Sequence, residues 1–188
     1  MNKRLDEVLA YMDTTRAALL DTAGPVNSTF ASMRPQPGAW SVSEILAHLS
    51  MVEASVGKLV EKSVEWGKTH DIGPETSEES VLDSLNSFGM ELGEAKIDAP
   101  ATVIPSAERT AEESIASLRE SRESIRKALL SGADLDLSRI TRPHRVLGEI
   151  NIYQWALFVA QHEERHRRQI ERTMSQVTER AAECAPMV

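Results

Sequence analysis

The chain contains a single cysteine, Cys184, and aromatic residues occupy only 4% of its 188 positions. One cysteine cannot form an intramolecular disulfide or a cysteine-based zinc cluster, which suits a reducing compartment. Long apolar runs are also missing. The richest stretch, residues 152–160, is too short to cross a bilayer. The first seven residues, Met1-Asn2-Lys3-Arg4-Leu5-Asp6-Glu7, mix acids and bases where a secretion signal needs an apolar segment. Positive charge is in short supply, with 21 basic against 29 acidic side chains and a net charge of −8. That balance disfavours phosphate-driven nucleic-acid binding and polybasic membrane contact. A cytoplasmic protein acting on a small molecule, with no nucleic-acid or membrane partner, is the expectation. Few aromatics beside abundant Ala, Leu, Glu, Arg and Ser favour helices over β-rich architectures.

What is present is helical periodicity. Leu5, Val8, Leu9, Met12 and Leu19 repeat at helical spacing and stop before Gly24-Pro25, which predicts a first helix from Lys3 to about Ala23. A turn-rich stretch, 33–38, leads to Trp40-Ser41-Val42-Ser43-Glu44. There Ser41 and Glu44 form a capping box and Trp40 can staple onto Ile45. The second helix is predicted from Val42 to about Trp66, with Ile45, Leu49, Val52, Val56 and Leu59 facing inward. Periodicity fades from Gly67 to Pro105, apart from a short helical stretch from Glu78 to Phe88. Such a long connector crosses a domain or covers a site. A third helix is predicted from about Ser106 to Ser131, carrying Ile115, Leu118, Ile125 and Leu129 on one face. The adjacent row of Ser114, Ser117, Ser121 and Ser124 reads as a solvated edge or a close helix approach. After a loop with Pro143 and Gly148, Asn151 to Gln154 repeats the capping pattern, and a fourth helix runs to about Glu179. No convincing strand pair is visible. The expectation is an all-α four-helix bundle spanning residues 1–180, with 181–188 as a flexible tail.

His162 and His166 stand four residues apart on the fourth helix, about 40° apart around its axis. Trp155, Phe158, Val159 and Ile170 share their side. On the second helix, His48 lies between Ile45, Leu49 and Val52. Three imidazoles thus converge where a core would ordinarily hold Leu. Unpaired buried imidazoles are costly, whereas three neutral rings on rigid helices can bind a divalent metal and leave a position open for water or substrate. His70, in a polar loop, and His144, after Pro143 in a connector, read as surface residues.

The string His162-Glu163-Glu164-Arg165-His166 also fits His-Glu-x-x-His, in which the Glu serves a zinc peptidase as general base. Only Glu171, Glu179 and Glu183 remain downstream as third ligands, and no strand precedes the helix to pair with a peptide substrate. The peptidase reading is therefore the weaker one.

The segment Trp40-Ser41-Val42-Ser43-Glu44-Ile45-Leu46-Ala47-His48-Leu49, followed by His162-x-x-x-His166-x-x-Gln169-Ile170, resembles the DinB-like superfamily, which includes thiol-dependent S-transferases and hydrolases. The resemblance runs from the first helix to the end of the fourth. It implies an up-down-down-up four-helix bundle, often a homodimer, with a divalent metal held at the positions matching His48, His162 and His166. Pro143-His144 and Gly148 match one subgroup. Glu163 stands where the family often has Asp or another polar residue.

The expected function is a metal-dependent thiol S-transferase or hydrolase, using zinc or nickel, with a small-molecule substrate and, for S-transfer, a low-molecular-weight thiol. Its class rival is a metal-binding or stress-response bundle without catalysis. Glu163 is a candidate base, and Glu44, one turn before His48, a candidate acceptor for its ring N–H. Gln169 could orient bound water or form an interhelical hydrogen bond. Arg122 interrupts the apolar row of the third helix, where it could meet a substrate carboxylate or pair with an acidic neighbour. Trp155 is a candidate contact for the substrate or for a metal ligand. Arg165, Arg167 and Arg168 are assigned no chemistry.

Overall fold

Asn2 opens helix α1, Lys3–Ala23, by accepting the Leu5 backbone N–H on its side chain. The computed structural model describes residues 2–88, 99–105 and 109–183. A one-turn helix α2, Ser28–Ser32, precedes α3, Val42–Lys68, whose start carries the reciprocal Ser41 and Glu44 capping box. Helix α4 spans Ala111–Ser131 and α5 spans Ile152–Glu183. The protein is mostly helical, and the four long helices α1, α3, α4 and α5 are the four read from the sequence. Helix α3 packs chiefly on α4 and α1 chiefly on α5, while α3 also meets α5.

Four expectations need correction. Helix α4 starts at Ala111 rather than near Ser106, because Thr110 and Glu113 form the capping box that sets its first turn; residues 106–108 lie outside the described residues. The stretch expected to be helical from Glu78 is a 3-10 segment over Leu82–Phe88. At the other end, α5 continues through Glu183, so 181–183 of the expected tail are helical, and 184–188 lie outside the described residues.

The fourth correction is a hairpin. Strand β1, Thr141–His144, pairs antiparallel with β2, Gly148–Asn151, so that Thr141 faces Asn151 and His144 faces Gly148. Gly148 takes a left-handed φ of 74° at the turn, which glycine adopts without the Cβ clash. With four residues per strand and Pro143 in one of them, the alternation was too short to read. Asn151 and Gln154 then exchange backbone-to-side-chain bonds of 3.0 Å each and launch α5 directly from β2.

The core is mainly aliphatic, with Tyr153, Trp155 and Phe158 added by α5. One cluster gathers Leu5, Val8, Met12, Val60, Ile125 and Leu129 with the first turns of α5, and a second joins Leu19, Ile45, Leu49, Leu118 and Ile170. Val81, Leu85 and Val103 of the connector are buried; its Leu82–Phe88 segment packs on α5 and its Ala101–Val103 segment on α3. Among the described residues, no helix is long and apolar enough to cross a membrane.

Candidate metal centre

Helix α3 delivers His48, and α5 delivers His162 and His166 one turn apart. The Nε2 atoms of His48 and His162 lie 3.4 Å apart, and those of His166 and His162 lie 3.1 Å apart. The three residues form a group whose ligand atoms all lie within 4.8 Å of one another. Two of their outer nitrogens are committed elsewhere. His48 Nδ1 meets the Val103 carbonyl at 2.8 Å, and His166 Nδ1 meets Gln169 Oε1 at 2.7 Å. Both partners are acceptors, so each Nδ1 carries the proton and each Nε2 presents a lone pair. Those two lone pairs point at His162 Nε2, which holds at most one proton and cannot satisfy both. A cation between the three nitrogens resolves the mismatch. With Zn–N bonds of about 2.0–2.1 Å, tetrahedral ligands stand about 3.3 Å apart, close to the spacing found here.

Electrostatics act in the same direction. Burial lowers the pKa of His48 against the opposing Val103 bond, and burial with the neighbouring imidazoles places His162 well below the ordinary value. Burial, followed by the charge of His48, pushes His166 down to about 3. The rings are neutral at neutral pH, the form that ligates.

The triad opens onto a cavity of about 850 Å³. Trp40, Val52, Val103, Trp155 and Phe158 give it apolar wall, and Trp40 packs on His48 with centroids 5.0 Å apart. His144, expected at the surface, is half-buried in this wall. Its ring packs on Phe158 at 4.5 Å and on Trp155 at 5.0 Å. The Val146 and Leu147 backbone N–H groups donate to its Nδ1 at 3.2 and 3.1 Å, which fixes the Nε2–H form. Hairpin geometry, invisible in the sequence, brings it there. His70 stays exposed and stacks on Trp66 at 4.2 Å.

Glu163 is turned away from the triad. Its carboxylate is 1% exposed as a residue and accepts from Arg16 Nε at 2.7 Å and from Arg122 at 2.6 Å. Glu53 completes the network, accepting from Arg16 at 2.5 Å, Arg122 at 2.7 Å and Ser121 at 3.1 Å. Burial opposes the Arg122 cation, but Glu163 and Glu53 outweigh it and hold its pKa above the ordinary value. Burial raises the Glu163 carboxyl, while Arg122 and Arg16 oppose the rise. We take Glu163 as ionised because each of its oxygens accepts from a guanidinium. Two cations and two anions, one from each long helix, thus neutralise one another inside the protein.

The candidate neighbours are redistributed accordingly. Glu44 does not reach His48; it holds the Ser41 N–H at 2.9 Å and forms an ion pair with Arg34. Gln169 orients His166 itself. Arg122 pairs with Glu53 and Glu163 instead of facing the cavity, while Trp155 lines it. Sequence reading passed over Arg16 and Glu53, although each occupies an inward position, Arg16 between Met12 and Leu19 and Glu53 between Leu49 and Val56. The Val103 carbonyl left no sequence signal, since any residue supplies one.

A family model described as DinB superfamily matches residues 5–170. A protein of Bacillus subtilis (strain 168), described as uncharacterized protein YuaE, is 26% identical over 136 residues, covering 72% of this chain and 77% of the relative. No solved structure matches.

Proposed function

Because the chain belongs to the DinB superfamily, we propose that it is a metal-dependent enzyme, a thiol S-transferase or hydrolase, in which His48, His162 and His166 hold one zinc or nickel ion. The observation that carries this reading is the convergence of three Nε2 atoms at 3.1 and 3.4 Å with two of their outer nitrogens already spoken for. When bound, the ion supplies Lewis acidity, which brings a thiol or water toward its anionic form near neutral pH. The chain's own contribution is orientation and a partly apolar wall. Val103 and Gln169 hold two rings in the ligating tautomer, and Trp40, Trp155 and Phe158 line the cavity beside the site. His144, with Nδ1 occupied, presents Nε2–H as a hydrogen-bond donor from the same wall.

We read the four long helices as the up-down-down-up bundle of this family, assembled as a homodimer. A non-catalytic metal store is the rival reading; a cavity of about 850 Å³ beside the histidines favours an enzyme, since storage needs no room for substrate. The His-Glu-x-x-His peptidase reading loses support because the Glu163 carboxylate is occupied by Arg16 and Arg122. Elemental analysis, paired with a screen of thiols against electrophiles, tests the proposal. One metal per chain, lost in a His162→Ala variant, is the expected result; full occupancy in that variant would overturn it.

A further inference from the structure

The cavity wall has an unusual charge composition. Acids outnumber bases 29 to 21 in the chain, yet no Asp or Glu lines the cavity among the described residues, while Arg145, Arg165 and Arg172 do. Other arginines of the same helix hold carboxylates. Arg167 pairs with Glu164 at 2.7 Å and with Glu171 at 2.5 Å, and Arg168 pairs with Glu164 at 2.8 Å. Those two lie off the cavity and have carboxylates to hand. Arg172 lines the cavity and has no ion pair among the described residues. Arg165 stands seven positions before it, two helical turns earlier on the same wall. Gln169 lies between them, and its oxygen accepts from His166, so its NH₂ group remains as a donor.

From this arrangement we propose that the substrate is a small anion, bearing a carboxylate or phosphate, whose charged end is bound by Arg172 and Arg165 with the Gln169 amide. The proposal rests on the metal-enzyme reading for what happens at the other end of the molecule. Arg172 follows His166 by six residues, which sets its Cα roughly 9 Å farther along the helix axis at 1.5 Å per residue. With Arg165 adjacent to His166 in sequence and Arg172 less than two helical turns beyond it, the site suits a small molecule. Planar guanidinium forks match carboxylate and phosphate oxygens in pairs. An acidic protein repels anions at long range, so a local cationic wall free of carboxylates is what such a substrate needs.

Calorimetric titration with hexanoate, hexyl phosphate and the neutral hexanol tests the proposal and separates the two anion types. Zinc-loaded and chelator-treated protein are both used, with metal content measured on each sample. At low salt, at least one anion should bind about tenfold or more tightly than hexanol, and an Arg172→Gln variant should lose most of that advantage while hexanol binding stays unchanged. An Arg165→Gln/Arg172→Gln double variant should remove it. Circular dichroism melts confirm that the variants fold, which the exposed position of Arg172 favours. Equal affinity for anions and hexanol, or an anion preference indifferent to both arginines, would overturn the anion subsite. Arginine-dependent anion binding in a protein that takes up no metal would leave the subsite standing and remove the metal-enzyme reading alone.

Discussion

Replacing Glu163 with Gln keeps the side chain's shape and removes one charge from a network that the solvent barely reaches. The Glu163 and Glu53 side chains are 2% and 3% exposed, and those of Arg16 and Arg122 are 9% each. Neutral overall, the network would become a buried unit of one excess positive charge, with two guanidiniums sharing only Glu53. Breaking a buried pair by removing one partner costs about 3–5 kcal/mol, because the remaining charge is left uncompensated. For a urea m-value of about 2 kcal/mol/M, the unfolding midpoint should fall by about 1.5–2.5 M. Thermal melting should drop by about 6–20 °C, at about 2–4 °C per kcal/mol for a domain of this size. An Arg122→Met change added to Glu163→Gln restores neutrality, so the double variant should be less damaged than the two single effects summed. A Glu163→Gln midpoint within about 0.5 M of the parent, a difference of about 1 kcal/mol, would refute this reasoning. Unchanged stability with abolished turnover would return Glu163 to the role of a base.

Three further outcomes are expected. Folded-state pKa values of His48, His162 and His166 lie below the ordinary 6.5, so their contribution to stability is fully present above that pH. Below it the unfolded chain takes up protons that the folded one refuses. Chelator-treated protein should then lose up to about 1.4 kcal/mol per pH unit for each such ring, for His166 down to about pH 3. Urea titrations from pH 7 to 5 check this, and a His166→Gln variant with the parent's slope would count against it. A Gln169→Leu variant removes the acceptor that fixes the His166 ring and should weaken zinc about 10–100-fold by chelator competition, whereas an unchanged affinity would show that the bond is dispensable. Light scattering should give a homodimer, about twice the 20.8 kDa chain mass; a clean monomer at micromolar concentration would disprove it.

The long helices and the histidine triad were legible because both depend on periodicity. Helical spacing fixed which residues share a face, and His48, His162 and His166 stood out as polar groups on apolar stripes. The same logic applied to Arg16 and Glu53, yet a single charge on a stripe is ambiguous until its partners on other helices are known. Arg122 was noticed and its partners were not, for that reason. The Val103 carbonyl, the β1–β2 hairpin and the placement of His144 all depend on where a long connector and a short loop come to rest. Such positions are set by tertiary packing rather than by local propensity. Glu44 shows the converse: spacing allowed it to reach His48, but its capping role and Arg34 used both of its oxygens first.

Successive residues of α5 serve two separate interiors. Each step along a helix turns the side chain by about 100°, so His162 faces the cavity while Glu163 faces the ion network on the other side. Arg16, Glu53 and Arg122 therefore hold α5 in rotation from α1, α3 and α4, and a turn of α5 that moved the histidines would also pull Glu163 off two guanidiniums. The network thereby couples ligand geometry to the packing of all four helices. The scarcity of aromatics fits this division. Trp40, Trp155 and Phe158 line the cavity, from a chain with only three Trp, two Tyr and three Phe, while both hydrophobic clusters are built mainly of aliphatic side chains. Aliphatic packing can fill the interior between regular helices, but walling a cavity beside polar rings favours broad rigid faces that lose little side-chain freedom. Three of the eight aromatic residues stand on the cavity wall, and a fourth, Tyr153, is fully buried in the core.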